Sequence, residues 1–104
     1  MRRILLTSPV RANTINGMSE HETIRMLLAE QFPGVDAKLQ PSNTRNVMLM
    51  WPIDSQRLFN FMVDRKTLLE ALQSGVKTER ELFERARIPK WHVEYFLELR
   101  LKFS

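Results

Sequence analysis

Cysteine is absent from this chain, which excludes disulfide bonds, thiolate catalysis and the zinc sites that need cysteine ligands. Glycine is scarce: Gly17, Gly34 and Gly75 lie too far apart to form a phosphate-binding loop. No apolar run approaches the roughly eighteen residues of a membrane-spanning helix, and Ile4-Leu5-Leu6 is too short for the apolar region of a secretory signal. We therefore expect a soluble, cytoplasmic protein that makes no membrane contact and depends on packing for its stability.

Residues that could perform catalysis are also few. The two histidines, His21 and His92, belong to no known metal-binding spacing, and surface or capping roles explain them better. Asp36-Ala37-Lys38 resembles the D-x-K element of metal-dependent nucleases, in which carboxylates hold magnesium. No second carboxylate accompanies it on a predicted strand. We therefore expect no enzymatic activity, no metal and no cofactor.

The charge of the chain favours polyanionic partners only weakly. Sixteen basic residues against twelve acidic residues give a net charge of +4 and a pI near 10.0. Arg2, Arg3 and Arg11 lie in an N-terminal stretch without any acid, whereas residues 79–87 alternate acids and bases. Positive charge is therefore not concentrated on one predicted helix, and a solvated basic surface explains the balance equally well.

The composition supports one compact domain over residues 1–104, since 43% of the residues are hydrophobic. Its N-terminal part begins with residues 4–7, which suit a short strand. Ser19 and Glu22 have the spacing of a capping box, and Pro33-Gly34 is typical of a helix end. A helix is therefore predicted between these two signals.

Residues 35–40 and 46–51 are predicted to form a hairpin around a polar turn. Residues 55–63 are predicted to form a further helix, capped by Ser55, with core positions at Leu58, Phe59 and Met62. The second strand is apolar on both faces, which favours an inner position in the sheet; its members are Val47, Leu49 and Trp51 on one face and Met48 and Met50 on the other.

Residues 64–103 are predicted to form three short helices with clear end signals. Asp64 and Gly75 are typical of the start and the end of the first helix. Thr78 and Glu81 have capping-box spacing at the start of the second, and Pro89 separates it from the third because proline is tolerated only in the first turn of a helix. The apolar positions expected to face the core are Leu68, Leu69, Leu72, Leu82, Phe83, Ala86, Val93, Phe96, Leu97 and Leu101.

This order of elements predicts an α+β fold. A small N-terminal unit of a strand, a helix and a hairpin, followed by one more helix, occupies residues 1–63 and serves as a platform. The helices of residues 64–104 follow it within the same domain.

The segment from Asp64 to Leu101 resembles the tri-helical helix-turn-helix of bacterial and phage regulators. The resemblance rests on spacing: apolar Ile88 stands at the turn, Val93 follows five residues later, and Leu97 four residues after that. The segment departs from the motif at Ile88-Pro89, where glycine or a small residue is usual. The resemblance implies that the third helix enters the major groove of DNA.

If the apolar positions of the third helix face the core, a second stripe points away from it, since successive residues turn by about 100°. Trp91 and Tyr95 lie on this stripe, with His92 and Leu99 beside them. A DNA-reading role makes Lys90 and His92 base or phosphate contacts and the two aromatic residues stacking or phosphate-bonding groups. The resemblance also implies phosphate contacts from Lys77, Arg85 and Arg87, near the second helix. The candidate DNA-binding residues are therefore Lys77, Arg85, Arg87, Lys90, Trp91, His92 and Tyr95.

The same stripe also has an explanation without DNA. Trp91, Tyr95 and Leu99 could form a second apolar face that is buried against the N-terminal half or against another copy of the chain. Glu94 and Glu98 support this alternative, because phosphate repels a carboxylate unless the carboxylate accepts a hydrogen bond from a cytosine amine. The sequence leaves the two interpretations open.

The leading interpretation is a small, sequence-specific DNA-binding transcriptional regulator that acts on duplex DNA as a homodimer. The alternative is an accessory protein of the phage or plasmid type, an inhibitor or adaptor. Such a protein would bind another protein through the stripe of Trp91, Tyr95 and Leu99 or through the region of Trp51. An enzyme is the third interpretation.

Overall fold

The computed structural model describes residues 19–104, which form helices and strands around one hydrophobic core. Helices and an antiparallel sheet occur together, so the predicted α+β class is confirmed. The strand predicted for residues 4–7 lies outside the described residues. The elements are α1 (Glu20–Gln31), β1 (Lys38–Pro41), β2 (Asn46–Pro52), β3 (Leu58–Asp64), α2 (Arg65–Gln73), α3 (Glu79–Arg85) and α4 (Lys90–Lys102).

The sheet has the order β1-β2-β3, and both neighbouring pairs are antiparallel. The inner position predicted for β2 is confirmed. The register sets Leu49 opposite Phe61 and Trp51 opposite Phe59, so these side chains share one face of the sheet. Three of the four are completely buried, whereas Met62 on the other face is 48% exposed. The helices therefore cover one face of the sheet.

The helix predicted for residues 55–63 is wrong, because this segment turns and then forms β3. Asp54 makes the turn: its Oδ1 accepts hydrogen bonds of 2.8 Å from the backbone amides of both Gln56 and Arg57. The prediction took Leu58, Phe59 and Met62 as the inner side of a helix. In the strand, alternation places Phe59, Phe61 and Val63 inside and leaves Leu58 and Met62 exposed.

The predicted hairpin forms, but its first strand starts later than the sequence suggested. β1 begins at Lys38, not at residue 35. Asn43 closes the turn, since its Oδ1 accepts hydrogen bonds from the amides of Arg45 (2.9 Å) and Asn46 (2.8 Å). These local bonds fix the start of β2 at Asn46, where the sequence placed it.

The predicted starts of α1, α2 and α3 and the glycine after α2 are confirmed, whereas α3 ends at Arg85, before the predicted break at Ile88-Pro89. Ser19 and Glu22 form a capping box at α1, and Thr78 and Glu81 form another at α3. Asp64 caps α2 by accepting a hydrogen bond of 3.0 Å from the amide of Thr67. The residue after the C-cap of α2, Gly75, has φ +82°, a backbone conformation that favours glycine.

The core is dominated by aromatic side chains contributed by the sheet and the helices. Trp51 lies edge-on between Phe32 of the α1 C-cap and Phe83 of α3, with ring centroids 5.4 and 5.1 Å away. Phe96 of α4 contacts Phe61 at 5.5 Å and Phe83 at 5.8 Å. Because the Trp51 side chain is completely buried, Trp51 itself is not accessible as an anchor for a protein partner.

The inner side of α4 includes most, but not all, of the predicted residues. Of Val93, Phe96, Leu97 and Leu101, Phe96 is completely buried and the half-buried Val93 and Leu97 pack against the core, but Leu101 is 77% exposed. His92 and Arg100 also face the fold, and with Phe96 they lie four residues apart along one side of the helix.

Candidate functional site: the outer face of α4

The α3–α4 turn consists of residues 86–89 and carries a left-handed residue. Arg87 has φ +64° and is, among residues 19–104, the sole non-glycine residue with a positive φ. Its amide donates to the carbonyl of Glu84, and the amide of Ile88 donates to the carbonyl of Phe83, both at 3.1 Å. These bonds satisfy the last carbonyl groups of α3. Sequence reasoning placed the break at Ile88-Pro89 and missed that Arg87 takes the conformation usual for glycine.

Ile88 and Pro89 fix how α4 starts. Ile88 is buried, which holds the turn against the core. Pro89 is the N-cap of α4, immediately before the first helical residue, and its side chain makes no capping hydrogen bond. The first turn of α4 therefore begins at Lys90, which is exposed.

We define the outer face of α4 as five of its exposed residues between positions 90 and 98: Lys90, Trp91, Glu94, Tyr95 and Glu98. The Trp91 side chain is 66% exposed and that of Tyr95 is 50% exposed. Two large aromatic side chains therefore stand in solvent on one side of a helix whose other side is in the core. This agrees with the outward stripe that helical geometry predicted.

His92 does not share that outward side, contrary to the sequence-based orientation. Its ring is half-buried and lies edge-on to Phe59 and Phe61, with centroids 5.2 Å from each. Trp91 stacks on the other side of the imidazole at 4.8 Å, with an interplanar angle of 19°. The His92 ring therefore packs against the Trp91 ring, and the Phe59 ring packs against that of Tyr95, with ring centroids 5.8 Å apart. Leu99 is half-buried.

Four basic residues of the candidate set are exposed near the start of α3 and the start of α4. Arg85 is tethered, since its Nη1 donates to Ser74 Oγ at 2.8 Å. Within residues 19–104, Arg87 and Lys90 form no salt bridge. Lys77 lies beside the α3 capping box, whose Glu81 accepts a hydrogen bond of 3.1 Å from the Lys77 amide. That bond and those from Thr78 hold the pKa of Glu81 below its ordinary value.

The other residues considered for chemistry do not converge. Asp36 and Lys38 form an exposed ion pair of 3.5 Å with each other. His21 and His92 belong to different elements, α1 and α4. In the part of the chain that the structure describes, no group of three histidine, aspartate or glutamate side chains could hold a metal ion. No helix there is long and apolar enough to cross a membrane.

No protein-family model, no curated protein and no solved structure matches this chain.

Proposed function

We propose that this chain is a small, sequence-specific DNA-binding regulator in which the outer face of α4 enters the major groove. The observation that carries the proposal is the exposure of Trp91 and Tyr95 beside Lys90, on a helix of 13 residues that follows α3 after one tight turn. In helix-turn-helix proteins, the second helix of such a pair reads base edges with its N-terminal residues. The major groove, about 12 Å wide, accommodates one helix with its side chains.

Each exposed side chain of the outer face can be assigned a chemically complementary group on DNA. Lys90 donates to the guanine O6 and N7 acceptors, which is the commonest specific contact of a basic residue. Glu94 accepts from a cytosine amine, the one favourable use of a carboxylate in the groove. Trp91 and Tyr95 contact the backbone or a thymine methyl group. Phosphate contacts come from Lys77, Arg85 and Arg87, which flank the helix at the turn and at the start of α3.

For binding to DNA, the basic residues near α4 matter more than the net charge of the chain. Three of the four net positive charges come from Arg2, Arg3 and Arg11, so the sequence from residue 19 onward is nearly neutral. Net attraction between residues 19–104 and a polyanion is therefore weak, so binding through the fold needs individual contacts such as those from Lys77, Arg85, Arg87 and Lys90. A homodimer would place two such helices about 34–36 Å apart, one turn of DNA, and is the form we expect on a specific site.

A second function is favoured by one observation, the pair of acids on the outer face. Glu94 and Glu98 lie beside Trp91 and Tyr95, where phosphate would repel them, and tryptophan and tyrosine are enriched among the residues that anchor protein interfaces. On this alternative, the chain is an accessory protein, an inhibitor or adaptor, and the two aromatic side chains are its anchors.

A salt titration of binding to random-sequence duplex DNA tests the proposal. If four basic side chains neutralise phosphates, the logarithm of the affinity should fall with the logarithm of salt concentration with a slope of about −3 to −4. Arg25→Ala, which removes an exposed charge on α1, should leave the slope unchanged and serves as the control. Absence of binding at about 50 mM salt would reject DNA as the partner and favour the protein-binding function.

A further inference from the structure

A side-chain cluster on the inner side of α4 joins three elements through one carboxylate. Glu79, the first residue of α3, accepts hydrogen bonds from Nη1 and Nη2 of Arg100 in the last turn of α4. The Nη2 bond to Oε1 is 3.1 Å. Trp51 Nε1 donates to the same Oε1 at 2.8 Å, and Arg100 Nη2 also reaches the carbonyl of Pro52 at 3.3 Å. We call these residues the Glu79 cluster.

The Glu79 cluster is shielded from solvent. The Glu79 and Arg100 side chains are 30% and 33% exposed, and Trp51 is completely buried. The Arg100 guanidinium also lies 4.5 Å above the ring of Phe96. Burial raises the pKa of Glu79, but the hydrogen bonds from Arg100 and Trp51 and the nearby positive charges outweigh it, so the pKa is below its ordinary value of 4.5.

The backbone of α4 lies farther from the neighbouring elements than the backbones of the other helices do, so its contacts with the fold come mainly from side chains. Phe96 and His92, with the half-buried Val93 and Leu97, provide the apolar contacts, and all four lie within residues 92–97. Apolar packing has little directional preference, but a bidentate arginine–carboxylate pair has a defined direction. Arg100 supplies that direction one turn beyond Phe96.

We propose that Glu79 and Arg100 are positioning residues for α4, and that their ion pair sets the angle at which the outer face of α4 projects from the fold. Neither residue belongs to the outer face. The consequence for DNA affinity rests on the proposed function, whereas the positioning itself does not depend on it.

Amide hydrogen exchange of the full chain tests the positioning. Two variants are used: Glu79→Gln keeps an acceptor for Trp51 but removes the charge, and Arg100→Lys keeps the charge but removes the two-pronged geometry. In both, the amides of residues 94–103 should exchange at least about tenfold faster, which corresponds to about 1.4 kcal/mol. The amides of α1 and β2 should keep their protection.

The matched control is Glu20→Gln, which breaks an ion pair with Arg65 of similar exposure on the other side of the molecule. It should leave the exchange of α4 unchanged. Two outcomes would overturn the proposal: unchanged exchange of residues 94–103 in both variants, or an equal acceleration in α1, β2 and α4, which is the sign of a merely global loss of stability.

DNA binding by the same variants tests the consequence. If the outer face of α4 reads DNA, both variants should lose at least about fivefold in the ratio of specific to random-sequence affinity while the salt slope stays unchanged, because no phosphate contact is removed. An unchanged ratio would show that the pair does not position a reading helix. If the wild-type chain binds no DNA, the proposed function fails, and the exchange experiment still decides the positioning on its own.

Discussion

The two sides of α4 carry similar residue types, aromatic and charged, but the inner side is packed into the fold and the outer face is mostly exposed. On the inner side, Phe96 is completely buried and Arg100 is paired with Glu79. On the outer face, Trp91 and Tyr95 remain largely in solvent. Exposed aromatic side chains contribute little to stability, and in the proposed function these two contact DNA. The comparison implies that mutations can separate stability from binding within one helix.

The largest effect should come from the inner side. Phe96→Ala should lower the free energy of unfolding by about 3–5 kcal/mol, because it leaves a cavity between Phe61 and Phe83. Leu101→Ala, two residues before the C-cap Phe103 and 77% exposed, should change it by less than about 0.5 kcal/mol. Urea denaturation of both variants measures the difference. Similar midpoints for the two would contradict the assignment of an inner side centred on Phe96.

The next effect concerns the outer face and assumes the DNA-binding function. Lys90→Ala should weaken binding to a specific site by about 1–3 kcal/mol and relax the preference at one base position, if Lys90 contacts a base edge. Fluorescence anisotropy with a selected site and its single-base variants measures both quantities.

Arg87→Ala provides the contrast to Lys90→Ala. A phosphate contact should be lost equally on all sequences, and the salt slope should fall by about one. If neither variant, nor Arg85→Ala, changes DNA affinity, the regulator hypothesis should be replaced by the protein-binding function.

The comparison of the two sides also explains which features the sequence could predict. Capping bonds join residues three positions apart, so the starts of α1, α2 and α3 followed directly from the Ser19, Asp64 and Thr78 signals. β3 could not be recognised in this way. Apolar residues occupy both alternating sets of its positions, and what selects the strand is its pairing with β2.

For the candidate site, exposure was predictable and the supporting contacts were not. The outward position of Trp91 and Tyr95 follows from helical spacing alone. The inward turn of His92 and the exposure of Leu101 share one cause, which is that the buried side of α4 is centred on Phe96, with Val93 and Leu97 packed beside it and Arg100 one turn further on. Arg100 pairs with Glu79, 21 residues away in sequence, and no local sequence pattern predicts such a contact.

The pH dependence of the free energy of unfolding tests how much the Glu79 carboxylate on the inner side contributes to stability. Because the pKa of folded Glu79 lies below its ordinary value of 4.5, the carboxylate stabilises the fold above that pH, and this contribution is lost as the pH falls through the folded pKa. Asp54, Asp64 and Glu81 also have lowered pKa values, mainly through bonds from backbone amides. The wild type alone would therefore not isolate Glu79.

The difference between the wild type and Glu79→Gln isolates it. Urea denaturation between pH 7 and about pH 3 should give a stability difference that is constant at neutral pH and shrinks below 4.5. If the difference in free energy of unfolding stays constant down to the lowest pH, the charge of Glu79 does not contribute to stability. The two proteins then differ only through the shape and hydrogen bonding of the side chain.

The smallest expected effect on stability is the one that most directly tests the outer face. Trp91→Ala should change the free energy of unfolding by no more than about 0.5 kcal/mol, since two-thirds of the side chain is already in solvent and only the stacking on His92 is lost. If Trp91 and Tyr95 anchor a protein partner, replacing either by alanine should weaken that complex by at least about 2 kcal/mol, while Lys90→Ala and Arg85→Ala have little effect. Calorimetric unfolding combined with binding measurements on the same samples gives both numbers. A loss of stability as large as that of Phe96→Ala would mean that the outer face belongs to the core after all, and the separation of the two sides would no longer hold.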